Sequence, residues 1–165
     1  MARRIGMGLV GPEFIAQHHI DAVRRLGDVD VVAIAGSTLT STRRKAEELK
    51  VGRSYATFEE PVNDPAIDVV HNTTPTFLHV PVTLAALRAK NQVLSDKPLA
   101  MKAAECAELR DAAAEAGGKL GLEATAAPAD RGSPFCASGP VCADAAPYAT
   151  TRTRRGVEHY KLISS

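Results

Sequence analysis

Short β-branched runs alternate with helical patterns from residue 4 to residue 117, and this rhythm constrains the fold more than any other feature. Residues 4–10 have strand character, and residues 29–35 (Val-Asp-Val-Val-Ala-Ile-Ala) are nearly all apolar. Such a run fits a strand of a parallel sheet that is covered on both faces. Residues 14–26 put Ile15, His19, Ala22, Val23 and Leu26 on one helical stripe, and Gly27 supplies the stop. A charged helix is predicted over 41–50, a short strand over 53–56 and a helical turn over 58–63. A strand at 68–72, a helix at 77–89, a strand at 92–95 and an Ala-, Glu- and Leu-rich helix at 102–116 follow. Residues 119–124 resemble one more strand. Strand–helix alternation at this spacing predicts an α/β fold: a doubly wound parallel sheet of Rossmann type with right-handed crossovers.

From Gly117 the character changes. Residues 117–165 hold four of the ten prolines (Pro128, Pro134, Pro140 and Pro147), and no apolar periodicity survives beyond 124. The expected organisation is a dinucleotide-binding domain over 1–124 and an irregular or disordered tail over 125–165. A net charge of +1, with the basic pairs dispersed, offers nothing to nucleic acid or an anionic surface. No run approaches the ~20 apolar residues that cross a bilayer, and the early apolar stretch is broken by Gly6 and Gly8. A cytoplasmic protein without nucleic-acid or membrane partners is expected. Cys106, Cys136 and Cys142 show no metal-ligand spacing, so no metal site is expected; Cys106, on an apolar helix face, reads as a small core residue.

A literal G-x-G-x-x-G is present as Gly6, Gly8 and Gly11, but only five residues precede Gly6. The phosphate-cradling turn must follow a strand and open a helix, which favours the register Gly11-Pro12-Glu13-Phe14-Ile15-Ala16. There Gly11 makes the tight turn, Pro12 suits the start of a helix, and Ala16 allows close helix–strand packing. Glu13 takes the place of the middle glycine. A carboxylate ~5 Å from a phosphate at an effective dielectric of ~20 costs on the order of 3 kcal/mol, about a hundredfold in affinity. Rotation of the side chain into solvent removes most of that cost. At the end of the second strand, Ala35-Gly36-Ser37-Thr38 has no acid to hold a ribose 2′-hydroxyl, and Arg43 and Arg44 follow. Ser37 and Arg43 therefore lean towards the 2′-phosphate of NADP rather than NAD, unless these arginines are simply solvated helix residues.

Two later segments are more specific: His71-Asn72-Thr73-Thr74-Pro75-Thr76-Phe77-Leu78-His79 after the fourth strand, and Ser95-Asp96-Lys97-Pro98-Leu99-Ala100 after the fifth. Together with Gly11–His19 and the 30–35 strand, they resemble the Gfo/Idh/MocA oxidoreductases. In that family a T-P-x-x-x-H loop and an E-K-P motif occupy these places. The resemblance covers residues 4–117 and implies hydride transfer between NAD(P) and a sugar, cyclitol or related polyol. It implies Lys97 as the catalytic lysine, assisting proton transfer at the carbinol oxygen, with Asp96 where the family has Glu. Gly11, Pro12, Phe14, Ile15, Ser37, Arg43, Thr73, Thr74, Pro75, His79, Asp96, Lys97 and Pro98 are the expected cofactor-binding positions. For His79, a locally satisfied helix N-terminal residue is an equal alternative. Pro98 is expected to fix its loop, in this family often through a cis peptide.

The resemblance also implies a second, substrate-binding domain with an aspartate and a histidine that work with the lysine. Residues 118–165 are too few to build it, and they lack the family's N-x-R motif. A reading-frame shift near Gly117 in a GC-rich gene would produce both the abrupt change and the composition. The chain alone is expected to bind cofactor at most; a stand-alone dinucleotide-binding or regulatory module and a non-functional truncated product are the alternatives.

Overall fold

The computed structural model describes residues 3–122, 151–152 and 158–159. The chain divides into two units, Met1–Ala124 and Thr125–Ser165. In the first unit the order is β1 (Ile5–Val10), α1 (Ala16–Leu26), β2 (Val29–Ala35), α2 (Leu39–Leu49), β3 (Arg53–Tyr55), α3 (Glu59–Val62), β4 (Val69–Asn72), a 3-10 turn (Thr76–Leu78), α4 (His79–Arg88), β5 (Gln92–Ser95), α5 (Ala103–Ala116) and β6 (Leu120–Leu122). In the second unit β7 (Thr151–Arg152) pairs antiparallel with β8 (Glu158–His159). The rest of the expected tail, with Cys136 and Cys142, and the end of the 119–124 strand lie outside the described residues.

The six strands form one parallel sheet in the order β3-β2-β1-β4-β5-β6. This is the doubly wound Rossmann order. Strand alternation sends side chains to two cores. Met7 and Leu9 of β1 and Ile34 of β2 pack with Ala16, Ile20 and Val23 of α1 and Ala46 and Leu49 of α2. Val10, Ala33, Ala35, Val70 and Val93 pack on the other face with Val82, Ala86 and Leu87 of α4 and Ala113 of α5. A sheet covered on both faces leaves little room for polar positions in β2, as its composition required.

Gly6 and Gly8 sit inside β1, so the literal G-x-G-x-x-G does not form the turn. A Cβ on Gly6 would meet the carbonyl oxygen of Ala66, and one on Gly8 would lie 2.7 Å from Ile67 Cδ1. Close approach of the 66–67 segment therefore requires both glycines.

Three helix starts differ by two residues from the expected ones; α4 begins at His79 rather than Phe77 because Thr76–Leu78 forms a 3-10 turn. α2 begins at Leu39 rather than Ser41, because Thr38 is the cap: its Oγ1 accepts from the Ser41 amide at 3.3 Å. Leu39 is exposed at the first position of the helix. α1 begins at Ala16 rather than Phe14, because Gly11 at φ +90° and the bond from Glu13 N–H to the Gly11 carbonyl keep that segment in a turn. No helix among the described residues is long and apolar enough to cross a membrane.

Candidate functional site

The chain leaves β1 towards β2 and leaves β4 towards β5, while β1 and β4 are neighbours in the sheet. A crevice at the carboxyl ends of β1 and β4 follows from that divergence, and open α/β sheets bind ligands there. The predicted positions lie on the loops that leave β1, β2, β4 and β5, or at the start of the helix each leads to.

The turn after β1 is shaped by Gly11. Its φ is +90°, and a Cβ there would stand 2.7 Å from the Thr73 carbonyl and the Thr74 nitrogen, so no other residue fits without moving the backbone. The Gly11 amide donates to the Ala35 carbonyl at 2.9 Å. Pro12 is buried, while Glu13 and Phe14 are exposed. Ile15 stands at the cap position of α1 with no side-chain cap, and the first turn of α1 holds no acid. The amides of this helix mouth, with the positive end of the helix dipole behind them, suit an anion. Glu13 is the one carboxylate within this turn.

The loop after β4 is bonded to that turn. Thr73 Oγ1 lies within donating distance of two carbonyl oxygens, those of Gly11 at 2.8 Å and Val10 at 3.1 Å. Asn72, fully buried, organises the rest. Its Oδ1 accepts from the Thr74 amide and hydroxyl, and its Nδ2 donates to the His79 carbonyl at 3.0 Å and Thr83 Oγ1 at 3.1 Å. The hydroxyls of Thr73 and Thr74 thus donate within the protein and hold the loop in place. Pro75 is exposed at the crevice edge. Sequence reasoning missed Asn72, for which an amide closing an apolar strand was the available signal.

The loop after β5 carries Lys97. The Asp96 amide donates to the Asn72 carbonyl at 2.9 Å, and Asp96 Oδ1 accepts from the Lys97 amide at 2.7 Å. The Lys97–Pro98 peptide is cis, and both side chains are exposed. His79, the first residue of α4, is only 2% exposed. Its Nε2 lies 2.8 Å from the Thr74 carbonyl oxygen and its Nδ1 2.6 Å from that of Pro98. Neither nitrogen is left for a ligand, so direct contact gives way to the locally satisfied alternative.

Beyond β2, Ser37 is exposed and Gly36 packs against Thr42, whose Oγ1 would lie 2.5 Å from an added Cβ. The first turns of α2 line a groove of about 260 Å³ with Leu39, Thr40, Arg43, Arg44 and Glu47. Arg43 and Arg44 therefore flank one concave surface on α2.

Sequence reasoning also missed a buried histidine pair behind the turn. His19 of α1 and His71 of β4 place their Nδ1 atoms 3.2 Å apart with the rings edge to face. Burial, and then the neighbouring His19 ring, push the His71 imidazole down to about 3. Exposed apolar side chains gather at the same edge of the sheet: Phe14 (86%), Phe77 (75%) and Met101 (72%) follow β1, β4 and β5 respectively.

Residues 5–124 match the model of an oxidoreductase family with an NAD-binding Rossmann fold, GFO_IDH_MocA. Over 114 residues the chain is 38% identical to a 1,5-anhydro-D-fructose reductase of Ensifer adhaerens, covering 69% of this chain and 34% of the relative. An NAD-binding oxidoreductase of Klebsiella pneumoniae superposes with a TM-score of 0.72 at 33% identity, covering 74% of this chain and 35% of that one. A biliverdin reductase from Synechocystis, solved with biliverdin and NADP+, superposes with a TM-score of 0.67 at 30% identity over 72% of this chain and 37% of its own. The chain thus spans about one third of the length of such relatives.

Proposed function

This chain belongs to the Gfo/Idh/MocA oxidoreductase family, and from that premise we propose that its Rossmann unit binds NADP, with the pyrophosphate at the mouth of α1. The uncapped start of α1 behind the positive-φ turn at Gly11 carries this reading. Gly11, Pro12, Phe14 and Ile15 form the pyrophosphate turn, where backbone amides meet the phosphate charge. Ser37 and Arg43 hold the adenosine end, and the missing acid after β2 favours a 2′-phosphate there. The 73–75 loop and residues 96–98 border the nicotinamide end, so the carbinol to be oxidised lies beside Lys97.

Bound there, the dinucleotide supplies the hydride acceptor or donor. Lys97 takes the proton of the carbinol O–H when hydride leaves carbon, and returns it to the oxygen in the reverse direction. Asp96 holds the Lys97 amide and keeps the loop against β4. The parent reaction is hydride transfer with a sugar, cyclitol or related polyol. The chain spans about a third of its relatives' length, and its Rossmann unit supplies the dinucleotide-binding part of that reaction.

Titration with NADPH and NADH, read by nicotinamide fluorescence, tests this. Saturable binding with NADPH the tighter ligand is expected. A folded protein that binds neither contradicts the reading, and tighter NADH binding contradicts the assignment of Ser37 and Arg43.

A further inference from the structure

We propose that His79 is a positioning residue that ties the Lys97 loop to the dinucleotide turn. The inference rests on the cofactor site described above. Among the described residues, His79 is the one side chain from another element bonded to residues 97–100, through the Pro98 carbonyl at 2.6 Å. Its other nitrogen lies 2.8 Å from the Thr74 carbonyl. The ring is buried at the start of α4, and its backbone carbonyl accepts from Asn72 Nδ2.

These contacts form one continuous path. Thr73 reaches the Gly11 carbonyl through its hydroxyl, and Thr74 is bonded to Asn72. The Thr74 carbonyl meets one side of the His79 ring, and the Pro98 carbonyl meets the other. Lys97 is the residue before Pro98. Each ring nitrogen faces a carbonyl oxygen, and the tautomer decides which of the two accepts the ring proton. A histidine has a nitrogen on each of two ring edges, which fits a site with a carbonyl on either side. Rigid support behind a lysine also matters chemically, because proton transfer needs heavy atoms within hydrogen-bond reach.

The test compares wild type with His79→Gln and His79→Leu. Glutamine carries its donors on one nitrogen, where the ring has a nitrogen at each of the two carbonyls, and leucine donates to neither. Affinity for NADPH is expected to fall about tenfold in His79→Gln, as for one lost buried hydrogen bond, and further in His79→Leu. Affinity for ADP-ribose, which lacks the nicotinamide end, stays unchanged. Amide exchange at Lys97, Leu99 and Ala100 rises while that of β1 stays as in wild type. Equal losses for both ligands, or unchanged exchange at those amides, overturn the proposal. In wild-type protein, which depends on no variant folding, scalar couplings across the hydrogen bonds should link the ring nitrogens to the Thr74 and Pro98 carbonyl carbons. Absence of both couplings also overturns it. Should wild type bind neither ligand, the cofactor reading fails, while exchange and couplings still decide the role of His79.

Discussion

The hydroxyl of Thr73 lies 2.8 Å from the carbonyl oxygen of Gly11, 62 residues earlier in the chain. The loop after β4 and the turn after β1 are therefore one bonded unit, and the space between them leaves no room for a side chain at residue 11. Gly11→Ala should cost about 2 kcal/mol or more, since a positive φ alone costs an L-residue about 1–2 kcal/mol and the Thr73–Thr74 peptide must also shift. Denaturant unfolding measures this, and dinucleotide binding should be lost in the fraction that folds. Gly6→Ala, buried against Ala66, should destabilise the fold with no separate effect on the binding of what remains folded.

Glu13 occupies the turn beside the uncapped start of α1. Because the side chain is exposed, solvent screens most of its repulsion for a phosphate. Glu13→Gly should raise dinucleotide affinity roughly three- to tenfold, well short of the about hundredfold that a fixed carboxylate would cost. The gain should shrink as salt is added. No gain at low ionic strength would show that the carboxylate stays clear of the pyrophosphate.

Arg43 flanks the groove on α2. Arg43→Ala should weaken NADPH about tenfold, the worth of one charge-assisted contact, and leave NADH nearly unchanged. Equal effects on both ligands would return Arg43 to the solvated helix face.

The buried His19–His71 pair makes stability depend on pH. His71 is held near 3 in the folded protein against an ordinary 6.5. Between those values the unfolded chain takes up a proton that the folded chain refuses, so stability falls as pH drops. The slope from this group approaches about 1.4 kcal/mol per pH unit well inside that window. Melting curves from pH 7 to pH 4 should show the decline, and His71→Leu should flatten it. An equally steep decline in that variant would assign the effect to other groups.

The sheet was legible because its strands are buried on both faces: residues 29–35 read as a strand from composition alone and form one. Helix starts were less legible where a turn or a cap, not an apolar stripe, sets them, as at Thr38 and Gly11. The loops of the candidate site could be placed because each follows a strand. Their wiring could not. Thr73 meets Gly11, His71 meets His19, and His79 meets Pro98 only because β4 lies between β1 and β5. That adjacency comes from the crossover order, and no local pattern in any of these segments carries it.

The central claim is that a nicotinamide dinucleotide lies across the carboxyl ends of β1 and β4. The most direct measurement is an amide-resolved NMR titration of the 17.4 kDa chain with NADPH. Shifts should concentrate at residues 11–16, 36–38, 73–76 and 96–99, and the amides of α5 should stay still. Shifts confined to α4 and α5, where Leu84, Leu87 and Ala112 line a second groove, or no shifts from a folded protein, would contradict the account.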